Sequence, residues 1–283
     1  MESLIWQSPA KVNLRLEILR KRKDGYHELR TIFQKINLCD RLYFSLRKGK
    51  GISITTDNLN LPVGRRNLVY RAVRSILKRS DYREGVRIEI EKRIPLGAGL
   101  GGGSSNAATA LKAMNQFLGM GLSQKDLMEM GLEIGADVPF FFLEGAAIGS
   151  GIGEKLKRIE LPHLWFVLIY PNFEVSTRWA YQNFILTKNR FRLNLQGFLR
   201  SPKEISSVLS NDLEWVVSKK YPQIDHMKKM LWAAGALGAL MTGSGPTVFG
   251  VFSGEEAASK AYRKVKGISG EKGWVALKAH SIP

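Results

Sequence analysis

Between Pro95 and Asn106 the chain reads Pro-Leu-Gly-Ala-Gly-Leu-Gly-Gly-Gly-Ser-Ser-Asn, with five glycines among the seven residues from Gly97 to Gly103. No helix or strand interior carries that density of glycine, because each one adds backbone entropy that folding must remove. Such a run is placed where the backbone takes positive φ or passes close to a ligand. Before it, Val86, Ile88 and Ile90 alternate with Arg87, Glu89 and Glu91, the period of a strand. After it, Ala107, Ala110, Leu111, Met114, Phe117 and Leu118 recur at helical spacing, with Ser104 or Ser105 expected as the N-cap. Free N–H groups leading into a helix N-terminus form an anion site, most often for phosphate.

Several phosphate-binding classes are excluded by what the chain lacks. Gly97, Gly99 and Gly102 satisfy G-x-G-x-x-G, but a dinucleotide fold also wants an acidic residue roughly 20 positions on, at the end of the next strand. Here that position falls in helical sequence, and Asp126 stands in a capping position instead. The chain contains no G-x-x-x-x-G-K-[ST] and neither the H-R-D nor the D-F-G signature, so it is neither a Walker P-loop protein nor a protein kinase.

The rest of the composition narrows the class. Of 283 residues, 44% are hydrophobic and 24% charged, as in ordinary globular proteins. No apolar run reaches the ~20 residues that span a bilayer, and the start of the chain lacks signal-peptide order. A lone cysteine, Cys39, leaves no internal disulfide, so the expectation is a cytoplasmic protein. The net charge of +18 is dispersed over clusters such as Arg20–Lys23 and Lys155–Arg158 rather than held in a tail. Dispersed charge suits a polyphosphate substrate; a nucleic-acid partner is the alternative, but no nucleic-acid-binding motif accompanies it.

Read in order, the residues up to about Ile54 are mostly β. Val12, Leu14, Leu16 and Ile18 share one strand face, with Lys11 and Asn13 on the other. A turn at Lys23-Asp24-Gly25 delivers Tyr26-His27. Asn67 is expected to cap a helix to Arg79, and Ser123 to open one that stops at Gly135. Asp137 then sits between a helix end and Pro139, ahead of Phe140-Phe141-Phe142. A glycine-rich connection spans 149–153, and beyond it strands and helices alternate. These include one helix over Pro202–Lys220 and a strand pair around Thr242-Gly243-Ser244-Gly245-Pro246-Thr247. The domains expected are 1–155, carrying the glycine-rich loop, and 156–283.

Three ordered motifs resemble those of the GHMP kinase superfamily: Ser8-Pro9-Ala10-Lys11-Val12-Asn13-Leu14, the glycine loop from Pro95, and Thr242 to Thr247. Asp24-Gly25-Tyr26-His27 and Gly135-Ala136-Asp137-Val138-Pro139 are similar to the branch whose substrate is a cytidine diphosphate-linked methylerythritol. The resemblance implies an α+β, two-domain fold, with a ribosomal-protein-S5-like N-terminal domain and a ferredoxin-like C-terminal domain. It implies transfer of the γ-phosphoryl of ATP, with Mg²⁺, to a substrate hydroxyl.

Under that resemblance Asp137 is the catalytic base and Lys11 its cationic partner. Pro95, Gly97, Ala98, Gly99, Leu100, Gly101, Gly102, Gly103, Ser104 and Ser105 wrap the triphosphate. Asn13, Tyr26, His27, Thr177, Tyr181 and Gly243, with Asp137, hold the substrate, His27 reading cytosine and Tyr181 stacking on it. No side-chain ligand for Mg²⁺ is identified. The expected partner is a small molecule, with neither nucleic acid nor membrane, and the protein a monomer or weak homodimer. A homoserine or mevalonate type of kinase, or a basic RNA-binding protein, are the competing readings.

Overall fold

The computed structural model describes residues 4–186 and 200–283. The chain divides into two compact units, each built from separate segments. The expected division at residue 155 follows chain order. The compact units do not, because two long strands, β1 (Leu4–Lys21) and β2 (His27–Arg47), each run from one unit into the other.

The first unit comprises Met1–Ala10, Leu38–Leu96 and Gly101–Glu144. In it β4 (Gly85–Glu91) runs antiparallel to β2 and parallel to β3 (Ile52–Thr56), with Ile88 opposite Phe44 and Ile54. Parallel neighbours need a crossover, which α1 (Leu68–Leu77) provides. Its Val69, Ala72, Val73 and Ile76 are buried, and Asn67 Oδ1 caps it by accepting from the Val69 N–H at 2.8 Å. Against α1 packs α2 (Gly102–Phe117), with Ala107, Ala110, Leu111 and Met114 buried. Burying each side chain the size of Leu or Met contributes about 1.5–3 kcal/mol. A capping box between Ser123 and Asp126 opens α3 (Gln124–Ile134), and a 3-10 turn follows over Pro139–Phe142.

The expected serine cap of α2 is corrected. The helix starts at Gly102 and its N-cap is Gly101, at φ +70°. That left-handed conformation suits glycine, which carries no Cβ to clash, so the turn ends earlier than the first serine.

The second unit comprises Lys11–Asn37, Gly97–Leu100 and Gly145–Pro283. Here β5 (Ala146–Gly151) pairs antiparallel with β2 and with β6 (Lys155–Ile159). The stretch expected as a glycine-rich connection is therefore partly strand. Gly149 serves packing: a Cβ there would stand 2.9 Å from the Phe33 ring.

The remaining elements are β7 (Trp165–Tyr170), α4 (Thr177–Gln182), α5 (Pro202–Ser207), β8 (Ser210–Asn211), α6 (Glu214–Lys220), α7 (Gln223–Ala233), β9 (Gly238–Met241), β10 (Val248–Phe252), α8 (Glu255–Glu271) and β11 (Val275–His280). Four of the strands form an antiparallel sheet in the order β11-β7-β10-β9, the ferredoxin-like arrangement. Ile169, Val217, Ile224, Met227, Leu231, Met241, Val248 and Val265 share one core with Leu16 and Ile18. The single helix expected over Pro202–Lys220 is broken at β8, which pairs in parallel with Arg15 and Leu16 of β1. Asn211 Oδ1 accepts from the Leu213 N–H at 3.0 Å and Asp212 Oδ2 from the Ile18 N–H at 2.6 Å. Such side-chain acceptors compete with helical hydrogen bonds and end the helix. No helix among the described residues is long and apolar enough to cross a membrane.

Candidate active site

Lys11 and Asn13 are both buried, at 3% and 2% exposure, so β1 is covered on both faces rather than on the apolar one alone. A buried ammonium needs acceptors, and Lys11 Nζ donates to Asn13 Oδ1 at 2.6 Å. The Asn13 amide is fixed in turn: its Nδ2 donates to Thr31 Oγ1 at 2.8 Å, and Thr31 Oγ1 donates to the Arg15 carbonyl at 2.7 Å. With both ends engaged, Asn13 aims the ammonium. Phe33 lies under Nζ at 5.3 Å from its ring centroid, a cation–π contact.

Two of the sequence motifs meet this cluster inside the second unit. The Lys11 N–H donates to the Leu100 carbonyl at 3.0 Å, and the Asn13 N–H to Thr242 Oγ1 at 2.9 Å. A Cβ on Gly243 would stand 3.5 Å from Lys11 Nζ and 3.1 Å from the Gly99 carbonyl oxygen. Gly99, at φ +76°, has its Cα against the Thr242 carbonyl, so any side chain there would collide with it. Thr31 and Thr242 were not assigned as site residues from sequence. Thr242 was within reach as a member of the third motif, whereas Thr31 offers no local signal.

The glycine loop continues from this unit into the first. Gly97 and Ala98 lie in the second unit, whereas Pro95 lies in the first, in the segment entering the loop. In the first unit the Ser105 N–H donates to the Gly101 carbonyl at 2.9 Å, leaving the N–H groups of Gly102, Gly103 and Ser104 as the orphan donors at the start of α2. The two serines differ. Ser105 is fully buried, its Oγ 2.8 Å from Ser8 Oγ, which donates to Asn106 Oδ1 at 2.7 Å. Ser104 is half-buried.

Asp137, also in the first unit, occupies the turn between α3 and the 3-10 turn and is half-buried. Val138 and Phe140 are fully buried beside it. The Val138 N–H donates to the Gly135 carbonyl at 3.1 Å, and Gly131 of α3 is glycine where a Cβ would come within 2.9 Å of Val138. The apolar anchors thus hold a carboxylate at a partly open position.

In the second unit His27 and Tyr181 face one another, ring centroids 5.4 Å apart and planes inclined by 31°. Burial, aided by Lys21, holds the His27 imidazole below its ordinary value of 6.5 and so favours the neutral form. Ser176 caps α4 through the Trp179 N–H, and Thr177 Oγ1 lies 2.8 Å from Ser244 Oγ. Tyr26 is 60% exposed, its N–H donating to Asp24 Oδ1 at 3.2 Å. Among the described residues no group of three or more His, Cys, Asp or Glu side chains could hold a metal ion.

Residues 67–145 match the GHMP kinases N terminal domain, and residues 194–270 match the GHMP kinases C terminal family. The chain is 46% identical over its full length to the full-length 4-diphosphocytidyl-2-C-methyl-D-erythritol kinase of Geobacter sulfurreducens. It is 45% identical to the enzyme of that name from Syntrophotalea carbinolica, over 100% of this chain and 99% of that one. A crystal structure of 4-(cytidine 5'-diphospho)-2C-methyl-D-erythritol kinase superposes with a TM-score of 0.84 at 32% identity, covering 99% of this chain and 100% of the other. Mevalonate kinase from Methanococcus jannaschii, at 15% identity and a TM-score of 0.75 over 100% of this chain and 99% of that one, shares the fold.

Proposed function

Since this chain belongs to the 4-diphosphocytidyl-2-C-methyl-D-erythritol kinase family of GHMP kinases, we propose that it transfers the γ-phosphoryl group of ATP to a hydroxyl of 4-diphosphocytidyl-2-C-methyl-D-erythritol. The observation that carries this reading is the Lys11 cluster. A buried ammonium, aimed by Asn13, stands beside Gly243, while the backbone N–H of the same lysine is bonded to the Leu100 carbonyl of the glycine loop.

Phosphoryl transfer asks for alignment and for neutralisation of charge on the transferred group. We assign charge stabilisation to Lys11 and acceptance of the hydroxyl proton to Asp137. Positioned acid–base catalysis is worth roughly 10²–10⁴-fold. The backbone N–H groups of Gly102, Gly103 and Ser104 would receive phosphate oxygens. Of the two serine hydroxyls, that of Ser104 is the one available to the nucleotide, because Ser105 is bonded to Ser8. Mg²⁺ would arrive on the nucleotide and be held chiefly by phosphate oxygens and water, as this ion commonly is. It would neutralise charge on the phosphates.

Sandwiching a base between two rings needs contacts of about 3.5–4.0 Å on each face, hence a ring separation of roughly 7–8 Å. His27 and Tyr181 are closer than that. We therefore assign Tyr181 to stacking on cytosine and His27, neutral, to hydrogen bonding at the base edge. The reaction draws on soluble metabolites, and we place it in the cytoplasm.

The test is ADP release with ATP and Mg²⁺, comparing the cytidine compound with homoserine, mevalonate and galactose. Turnover with the cytidine compound alone is expected. Turnover with another alcohol in its place would overturn the substrate assignment.

A further inference from the structure

The short segment from Val208 to Glu214 was expected to be helix interior, and its structure gives it another task. It is fastened to β1 at several points. The Val208 carbonyl accepts from Arg15 Nη1 at 2.8 Å, the Asp212 N–H donates to the Leu16 carbonyl at 3.0 Å, and Asp212 Oδ2 accepts from the Ile18 N–H at 2.6 Å. Lys11 and Asn13 lie on this same strand.

From that anchorage two side chains reach the third sequence motif. Asn211 Nδ2 donates one hydrogen to the Met241 carbonyl at 2.7 Å and the other to the Gly243 carbonyl at 2.8 Å. Its Oδ1 accepts from the Leu213 N–H at 3.0 Å, so the amide orientation is determined. Glu214 Oε2 accepts from the Met241 N–H at 2.7 Å, while Oε1 is ion-paired with Lys228. Three backbone groups around Met241 and Gly243 are thereby held by a segment tied to β1.

Thr242 and the Cα of Gly243 lie between the two carbonyl groups that Asn211 holds. They are also the atoms that meet the Lys11 cluster, Thr242 Oγ1 at the Asn13 N–H and Gly243 beside Lys11 Nζ. We propose that Asn211 and Glu214 are positioning residues for phosphoryl transfer, a clamp that sets Thr242 and Gly243 against Lys11 and Asn13. The proposal rests on the kinase reading above. The clamp acts on the backbone geometry around the ammonium, so its loss shows chiefly in kcat.

Asn211→Asp tests this directly, because it keeps the shape and turns a double donor into an acceptor facing two carbonyl oxygens. The expected result is a kcat lower by roughly 10–100-fold, the scale of a small misplacement. KM values for ATP and the cytidine substrate should stay within about threefold. The kcat is taken per folded enzyme, with the folded fraction fixed by circular dichroism and denaturant unfolding, because loss of folded protein alone would also lower the apparent kcat at unchanged KM. Glu214→Ala removes the second arm and should show the same split; if Asn211→Asp does not fold, this variant decides. Folded variants with wild-type kcat, or with raised KM values at unchanged kcat, overturn the proposal.

Amide hydrogen exchange reads the clamp without substrate. In Glu214→Ala the Met241 amide should exchange faster while those of Val248–Phe252 stay as in the wild type; no change at Met241 would sink the clamp. Wild-type protein silent on the cytidine substrate, with this exchange pattern present, would sink the kinase reading instead.

Discussion

Lys92 Nζ stands 2.6 Å from Asp40 Oδ2 at a place where the two side chains are 2% and 0% exposed. The same ammonium donates to the Ile94 carbonyl at 2.6 Å, and Asp40 Oδ1 accepts from the Arg93 and Ile94 N–H groups, each at 2.8 Å. This pair organises the chain entering Pro95 and the glycine loop, and a Cβ on Gly102 would lie 3.1 Å from Lys92 Nζ. Burial pushes the Lys92 ammonium below its ordinary value, while the Asp40 carboxylate opposes that shift.

Asp40→Ala should therefore be severe. It leaves a buried ammonium without its ion-pair partner and two backbone donors without their acceptor, and breaking such a pair costs about 3–5 kcal/mol. Denaturant unfolding should show that loss, and a midpoint close to wild type would refute it.

Asp137→Asn keeps size and removes the carboxylate proposed as the base. Turnover should fall by roughly 10²–10⁴-fold, with nucleotide affinity, measured by calorimetry, nearly unchanged. A mutant at the wild-type rate would remove Asp137 from the chemistry.

For His27 the expected signature lies in pH. Its folded-state value is depressed below 6.5, so the unfolded chain takes up this proton first as pH falls. Any stability linked to the neutral ring is therefore present above 6.5 and lost as pH drops through the lower folded value. KM for the cytidine substrate should be level from about pH 8 down to the ordinary histidine range and rise below it. His27→Ala should raise that KM at neutral pH and leave KM for ATP little changed. Equal effects on the two would exclude a base-reading role.

Two glycines of the loop should behave oppositely. Gly99→Ala puts a Cβ into the Thr242 carbonyl at φ +76°, and the left-handed backbone alone costs about 1–2 kcal/mol. A Cβ on Gly103 meets nothing nearer than Leu68 at 3.7 Å. Thermal melting should thus separate Gly99→Ala, strongly destabilised, from Gly103→Ala, close to wild type.

Much of the architecture was legible because its causes are local. The apolar stripe of α1 and its Asn67 cap, the Ser123–Asp126 capping box, and the strand–glycine loop–helix order from Val86 to Phe117 follow from side-chain period and capping chemistry within a few residues. Ordered motifs near Lys11, Gly97 and Gly243 also carried the family, since each demands particular residue types at fixed spacing.

Tertiary structure decided what depends on partners far away in sequence. Ser104 and Ser105 are alike as sequence, yet only Ser105 is bound to Ser8, 97 residues away. Asn13 meets Thr242 across 229 residues, and nothing in the local pattern around either announces it. The run at Ser210-Asn211-Asp212 could have continued a helix. It became a strand because β1 supplied backbone partners and the Asn211 amide found the carbonyls of Met241 and Gly243. Period and capping act over a few residues, whereas the hydrogen bonds of buried polar groups are set by whichever distant donors and acceptors packing brings within about 3 Å.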